Sequence, residues 1–361
     1  MSAVTEATVE SATPVLEGVD LVKEFAGRTS LFGRASSKVR AVDGVTLRLH
    51  AGRTLGLVGE SGSGKSTVGR LLLRLLDVTG GEVHLGADDV TRARGRDLNQ
   101  ARRAMQMVFQ DPYSSLNPTM RIGDIIGEPV TFHRGLKGAE LDAEVDRLLI
   151  SVGLSPEHAR RFPDEMSGGQ RQRVAIARAL APDPKILVCD EAVSALDISI
   201  QSQILNLLLK LQREFGVAIL FVSHDLSVVR HVSHEIAVMY LGQIVEFGPA
   251  DRVADSPAHP YTAALLSAVP EAKPSHRRAR QKVVLRGDPP SPSRRPAGCP
   301  FASRCPAAFE PCHETRPEHT PVNGGGTAAC HLQTQGPKLG GRSLPIELLR
   351  ARPDEAPSAA D

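Results

Sequence analysis

The feature that most constrains this chain is the nonapeptide GESGSGKST, Gly59 to Thr67. It follows the short apolar run TLGLV and opens a segment, SGKSTVGRLLLRLL, of helical character. Glycines permit a tight turn whose N–H groups converge on one point. A helix that starts there adds the positive end of its dipole. The pattern G-x-x-x-x-G-K-[ST] between strand and helix is a phosphate-binding loop, and it calls for an α/β sheet with ligands at the carboxyl ends of its strands. Gly59, Ser61, Gly62, Ser63 and Gly64 supply the turn and its donors. Lys65 is expected to reach the β- and γ-phosphates, Ser66 to ligate Mg²⁺, and Thr67 to add a phosphate hydrogen bond. The bland alternative is a strand-to-helix turn that binds nothing.

A second stretch, KILVCDE, residues 185 to 191, delivers Asp190 and Glu191 to the end of a four-residue apolar strand. Asp190 there suits Mg²⁺ held through water, and Glu191 suits the polarisation of an attacking water. Alone the pair is weak evidence; beside a phosphate loop it is strong. Cys189, in the same strand, reads as a small buried hydrophobe.

Apolar strands alternate with helices along most of the chain, so a mainly parallel sheet covered on both faces is expected. VTLRLHAG alternates like a half-buried strand, and MQMVFQ and VAILFVSHD are short buried ones. ISIQSQILNLLLKLQREFG places Ile200, Ile204, Leu207, Leu208, Leu211 and Phe215 on one helical face, with Gly216 as its stop. IAVMYLGQIVEFG predicts a hairpin about Gly242-Gln243. Residues 111–180 are mostly helical in pattern and read as a subdomain inserted in the α/β core. Residues 1–14 read as a disordered tail, 15–255 as the core, 256–335 as a small appended module and 336–361 as a second tail. The basic stretch KPSHRRARQK and the Pro/Ser-rich GDPPSPSRRPAG read as solvated linker.

A formal net charge of +2 gives no electrostatic reason to expect nucleic acid or an anionic membrane as partner. No run of about 18 apolar residues exists, so no helix is expected to span a bilayer. The N-terminus lacks the basic and apolar regions of a signal peptide, which points to the cytosol, where thiols stay reduced.

MSGGQRQRVAIARAL, from Met166, narrows the field. Here the chain resembles the ATP-binding-cassette ATPases, whose signature is matched by Ser167, Gly168, Gly169 and Gln170. Gln110 in VFQDP matches the Q-loop glutamine, SALD up to Asp197 the D-loop, and His224 in FVSHD the switch histidine. Phe25 stands where the family places an aromatic under adenine, although the following insert, AGRTSLFGRASSK, offers other residues for that contact. The resemblance implies a RecA-like cassette core with an antiparallel β subdomain, an inserted helical subdomain and a small C-terminal cysteine-rich extension. It implies ATP and Mg²⁺ as ligands, with Ser66, Gln110 and Asp190 about the metal. Gln110 and His224 would sense the γ-phosphate, Glu191 would activate water, and the signature would meet ATP held by another cassette. Each residue also has a plain reading: Ser167 as a helix N-cap, Gln110 and His224 as satisfied polar groups, Phe25 as core. Met166 replaces a leucine common in the family, a volume-conserving change.

LFGR, VRAVDGVTL, FQDPYSSLNPTMRIGDIIGEP, DEAVSALDISIQSQI, HPYTAALLSAVP and GCPFASRCP resemble a narrower group, the ATPase subunits of oligopeptide and dipeptide importers. The likeness is to the second of two paired ATPases. It implies two transmembrane permeases, a paralogous ATPase partner, an extracytoplasmic solute-binding protein and a place on the cytoplasmic face of the membrane, with no nucleic acid. An importer of metal ions or sugars and a soluble cassette acting on nucleic acid or ribosomes are the rival readings.

Four of the five cysteines, Cys299, Cys305, Cys312 and Cys330, gather late in the chain. In a cytosolic protein this favours metal over disulfide. The spacing is looser than the usual zinc pairs, and Pro300 and Pro306 follow two of the cysteines as in some iron–sulfur runs. The resembling group carries a [4Fe–4S] cluster in this extension; zinc and unliganded thiols are the alternatives. His313, His319 and His331 read as surface histidines. ATP binding is expected to be largely independent of the extension.

Overall fold

The computed structural model describes residues 13–26, 38–111, 115–194, 196–268, 287–291, 295–336 and 339–344. The insert at 27–37, the stretch KPSHRRARQK and most of both expected tails lie outside the described residues. The chain forms two compact units, one of Met1–Leu21, Thr46–Thr54 and Gly69–Leu220, the other of Val22–Val45, Leu55–Val68 and Phe221–Asp361.

Strands β1 (Leu16–Phe25) and β2 (Val39–Leu49) each give residues to both units. They belong to a four-stranded sheet ordered β2-β1-β4-β5, with β4 Gly80–Leu85 and β5 Asp88–Asp89. β4 and β5 pair antiparallel, His84 opposite Asp89.

The rest of the first unit is α/β. β6 (Met105–Val108) runs parallel to β7 (Ile186–Asp190), with Met105 opposite Ile186 and Val108 opposite Cys189. Every residue of β7 is buried, as a continuous apolar run in a parallel sheet requires. Helix α1 (Lys65–Leu72) follows the phosphate loop and enters this unit at Gly69, and α2 (Gly95–Ala104) precedes β6. Between 111 and 180 the described residues hold no strand: α3 (Ile122–Arg134), α4 (Ala139–Ser151), two short 3-10 turns and α5 (Gly168–Leu180) occupy it. Glu144 ties α3 to α4 by accepting from Arg134 and Arg147, and Arg147 first, then Arg134, hold its carboxyl down at about 2. Helix α6 (Ile198–Phe215) buries Ile204, Leu207, Leu208 and Leu211, and Gly216 ends it in the left-handed conformation at φ 65°. Ile200 and Phe215, expected on that face, are half-buried.

β8 (Ala218–Ser223) passes into the second unit. That unit contains β3 (Thr54–Val58, from Leu55 on), parallel to β9 (Glu235–Tyr240) with Leu55 opposite Glu235. β9 and β10 (Gln243–Pro249) form the expected hairpin. Its turn residues, Leu241 and Gly242, both have positive φ, the geometry that suits the twist of a two-residue connection. β12 (Thr327–Ala329) adds antiparallel to β10, and β11 (His319–Pro321) pairs with β12. The short helices α7 (Leu226–Val232), α8 (Ala250–Asp255), α9 (Pro260–Ser267) and α10 (Glu310–Glu314) complete it.

The C-terminal module carries few large apolar side chains, yet concentrates them. Its Phe301 and Tyr261 are buried against each other and against Tyr240 of β9, with ring centroids 4.7 to 5.4 Å apart. Ala263, Cys330, Leu332, Leu339 and Leu344 form a second cluster, flanked by Phe309, so the packing extends to Leu344, beyond the expected start of the second tail at 336. Among the described residues, no helix is long and apolar enough to cross a membrane.

Candidate functional site

In the second unit, β3 runs straight into the phosphate loop. Gly62 and Gly64 have φ of 78° and 107°, values a side chain would strain. A Cβ at Gly64 would lie 2.3 Å from the Ala41 carbonyl, and one at Gly59 2.1 Å from that of Met239. The loop is thus packed backbone to backbone against the strands beside it. Lys65, 4% exposed, turns back and donates to the carbonyls of Gly59 (2.7 Å) and Glu60 (2.9 Å). A buried ammonium resting on two carbonyls can exchange them for anionic phosphate oxygens, which bind it more strongly. Ser63 is buried, and its Oγ has no hydrogen-bond partner among the described residues. Such an orphaned polar atom suits a site that takes a polar ligand. Ser61 and Gly62 are exposed; Ser66 and Thr67, in the first turn of α1, are half-buried.

In the first unit, β7 ends at Asp190, 4% exposed. Glu191 follows with φ 48°, a left-handed conformation that is costly for a residue other than glycine and is found most often at functional positions. Gln110 lies beyond the end of β6, the strand that pairs with β7, and its Nε2 donates to Glu191 Oε2 at 2.8 Å. The parallel pairing thus brings together two predicted catalytic side chains that are 81 residues apart. Ser194, which opens SALD, donates through its N–H and its hydroxyl to the Glu191 carbonyl, and the exposed Asp197 is the N-cap residue of α6.

The signature stretch starts α5. Ser167 caps it by accepting from the Gln170 N–H at 3.3 Å, while the Gln170 side chain accepts from the Ser167 N–H at 2.9 Å. This reciprocal capping box is the plain reading of the motif, and it is realised. Ser167 is exposed and Gly168 half-buried, so the helix start faces outward. Gly169 is buried where a Cβ would meet Ile200 at 2.7 Å. In the second unit, His224 is exposed after β8, and Phe25 is 38% exposed at the end of β1 with the Lys23 ammonium 5.4 Å from its ring centre.

The four late cysteines lie within electrostatic reach of one another; the other three all act on Cys330. Cys299, Cys312 and Cys330 are buried and Cys305 is half-buried. A hydrogen bond from Cys299 N to Cys312 O at 2.8 Å brings two of their segments together. Burial pushes the thiol of Cys299 up to about 11 and that of Cys305 up to about 12, and raises Cys330 as well. Such thiols give up protons readily only where a cation compensates the buried charge. Among the described residues, no three or more His, Cys, Asp or Glu side chains are grouped so as to hold a metal ion. One expectation is corrected: His331 is not a surface histidine. It is 5% exposed, and its Nε2 bonds the Thr315 carbonyl at 2.8 Å.

Two residues escaped the sequence reading. The Tyr261 hydroxyl accepts from the Glu60 N–H at 2.7 Å, and Arg304 bonds the Glu60 carboxylate through Nη1 (2.8 Å) and Nη2 (3.2 Å). Only the stretch HPYTAALL, noted as a resemblance, marked the first of them.

Comparison with known proteins bears on this geometry. A family model described as ABC transporter matches residues 42–194, and one described as the oligopeptide/dipeptide transporter C-terminal region matches 245–312. The chain is 50% identical over 319 residues to a probable peptide ABC transporter ATP-binding protein of Sinorhizobium fredii, covering 88% of this chain and 90% of that one. It is 53% identical over 288 residues to the glutathione import ATP-binding protein GsiA of Escherichia coli K12, covering 80% of this chain and 46% of that one. It therefore spans about half the length of the glutathione importers it matches. Among solved structures, the dimeric ATP-binding cassette MJ0796 bound to ADP and Pi is similar with a TM-score of 0.58 at 29% identity, over 65% of this chain and 98% of that one. CbiO1 of Clostridium perfringens, part of the complex cbiONQ, gives 0.58 at 26% identity, over 67% and 90%.

Proposed function

The chain belongs to the ABC transporter ATP-binding proteins, and from that premise we propose that it hydrolyses ATP to power the import of small peptides. The observation that carries the reading is the conjunction of the built phosphate loop with likeness to a peptide ABC transporter ATP-binding protein over 90% of that protein's length. The glutathione import proteins point to the same cargo chemistry, since glutathione is itself a tripeptide.

In this reading Lys65, Ser66 and the loop amides hold the β- and γ-phosphates, with Thr67, Ser61 and Ser63 adding hydrogen bonds. Mg²⁺, when bound, offsets the charge of the phosphates, and Ser66, Asp190 and Gln110 are its proposed neighbours. Glu191 orients the attacking water, and Gln110 orients Glu191. His224 acts on the γ-phosphate side, and Phe25 packs on the base. Ser167 to Gln170, with Asp197, serve ATP held by a second cassette, which we take to be a paralogous subunit.

Two permeases and an extracytoplasmic solute-binding protein complete the assembly at the cytoplasmic face of the membrane. A groove of about 590 Å³ in the first unit is the proposed permease contact. Phe109, Pro129, Phe132 and Arg178 line it, and Phe132 is 72% exposed. Phe109 adjoins Gln110, which gives a permease motion a route to the catalytic carboxylate.

For the cysteines we propose a [4Fe–4S] cluster, held by Cys299, Cys305, Cys312 and Cys330. Four soft donors, three buried and one half-buried, with the other three all acting on Cys330, support it.

The decisive test is Glu191→Gln. Hydrolysis by the purified complex should fall by at least about 100-fold while ATP stays bound. Turnover near the wild-type rate would remove Glu191 from its role. Co-purification from membranes should recover two permeases and a second ATPase; recovery of this ATPase alone with the permeases, fully active, would remove the heterodimer. Anaerobic protein should contain about four iron and four sulfide per chain. One zinc without sulfide would replace the cluster assignment.

A further inference from the structure

Glu60, the second residue of the phosphate loop, is held at three points. Its N–H donates to the Tyr261 hydroxyl, its carbonyl accepts from Lys65, and its carboxylate takes the Arg304 fork. We propose that Arg304 and Tyr261, both from the C-terminal module, are positioning residues of the phosphate loop that act through Glu60. The proposal rests on the nucleotide reading above and goes beyond it, because it makes the cysteine-rich module part of the ATP site's support.

The geometry is specific. A guanidinium that meets a carboxylate through two N–H groups fixes direction as well as distance. The Arg304 side chain is 8% exposed and that of Glu60 27%, so water screens the pair only partly. Arg304 is itself fixed: Nη1 also reaches the Tyr240 hydroxyl at 3.4 Å, and its guanidinium lies 5.9 Å from the Tyr240 ring centre. Tyr261 is fully buried, and its ring sits 4.7 Å from Tyr240 and 5.4 Å from Phe301. Its hydroxyl therefore has one place to be.

The chemistry gives this arrangement a purpose. The loop gathers N–H donors and Lys65 for a polyanion, yet it carries a carboxylate of its own at Glu60. An uncompensated carboxylate there repels phosphate. Arg304 cancels that charge and turns it away. Lys65 rests on the Glu60 carbonyl, so any drift of this peptide also moves the ammonium. The turn that carries Arg304, Ala302–Arg304, lies between Cys299 and Cys305. Ala302 N bonds Cys299 O at 3.1 Å, and Cys305 N bonds Ala302 O at 3.3 Å. Whatever the cysteines hold thus shares a short segment with the residue that neutralises the loop. The expectation that ATP binding is independent of the extension gives way to one of dependence.

The test is equilibrium binding of ATP with Mg²⁺ to the purified full chain. Arg304→Gln, which keeps side-chain length and drops the charge, should weaken binding roughly tenfold, the scale of a lost charged hydrogen bond. Adding Glu60→Gln should restore affinity to within about threefold of wild type, because the repelling charge is gone. Tyr261→Phe should weaken binding by about threefold, the scale of one neutral hydrogen bond. Thermal melts read folding separately, and Arg304→Lys, which retains the charge but loses the two-point fork, should bind more tightly than Arg304→Gln and more weakly than wild type. Unchanged binding by a folded Arg304→Gln protein, or a double variant as weak as the single one, overturns the proposal. Lys65→Ala separates the levels. If it abolishes binding while Arg304→Gln leaves affinity unchanged, only this inference falls. If wild-type protein binds no ATP, the function itself falls.

Discussion

Two glycine- and serine-rich loops start helices in this chain, and they are built in opposite ways. The signature loop closes on itself: Ser167 and Gln170, three residues apart, satisfy each other's backbone N–H groups. The phosphate loop depends on the rest of its unit. Its backbone packs against Ala41 and Met239, and its second residue is held by Tyr261 and Arg304. In the first loop the helix start is stabilised without a ligand. In the second a buried lysine rests on carbonyls and a buried hydroxyl has no partner among the described residues. On the proposed reading, the second loop binds in its own subunit and is prepared for an anion, while the first serves a neighbour's nucleotide and need only present a rigid, exposed edge.

The sharpest way to break this contrast is to disable each loop in turn. Lys65→Ala should lower ATP affinity by about 100-fold or more, since it removes the buried cation that meets the phosphates. Ser167→Arg should leave ATP binding by the isolated chain within about twofold of wild type, yet cut hydrolysis in the assembled complex by roughly 100-fold. Equilibrium binding and steady-state turnover, measured side by side, check both. A large affinity loss in the Ser167→Arg chain would show that the signature touches ATP in its own subunit and would end the distinction.

Glycine replacements come next in size. Gly64→Ala puts a side chain at φ 107° and 2.3 Å from a carbonyl that other strands hold in place. The strain should cost about 1–3 kcal/mol and appear as both lower melting temperature and weaker ATP binding. Gly169→Ala meets the side chain of Ile200, first at its Cγ2, a half-buried side chain able to shift. It should lower the melting temperature and leave ATP affinity alone. Equal loss of affinity in the two variants would contradict the view that only one loop binds in its own subunit.

The same contrast explains what the sequence revealed. The phosphate loop was legible because its glycines, lysine and serine are contiguous, and because a five-residue apolar strand precedes them. The buried strand ending at Asp190 and the apolar face of Ile198–Phe215 were legible from period and composition. The signature's capping box was legible because Ser and Gln stand three apart. The supports were not. Tyr261 is 201 residues from Glu60, and Arg304 is 244. Arg295 meets Asp43 across 252 residues. Contacts closed over such lengths leave no local pattern, since each partner's neighbours in sequence are set by other demands. His331 was misread for the same reason. Its Thr315 partner lies 16 residues back, and nothing beside it marks burial. The module's packing was not legible because its aromatics Tyr261 and Phe301, and the Tyr240 of β9 that they meet, are scattered in sequence and meet only in space.

The smallest expected effect isolates the local device. Gln170→Ala deletes the half of the capping box that accepts from the Ser167 N–H, while the Ser167 hydroxyl still accepts from the N–H at position 170. Losing a cap costs about 0.5–2 kcal/mol, and losing one of its two bonds should fall near the lower end. In a chain of this size that shifts the melting temperature by about 1–2 °C. The change lies wholly within the first turn of its helix, so ATP affinity should stay within experimental error of wild type. Gln170→Glu restores an acceptor of the same length and adds a negative charge at a helix N-terminus, which the helix dipole favours. It should recover the lost stability in the isolated chain. In the assembled complex the same charge would face the partner's phosphates and slow hydrolysis. Calorimetry on the chain and turnover of the complex should therefore move in opposite directions for Gln170→Glu. Parallel movement would mean that this helix start acts only as structure, and the signature would lose its role toward a neighbouring nucleotide.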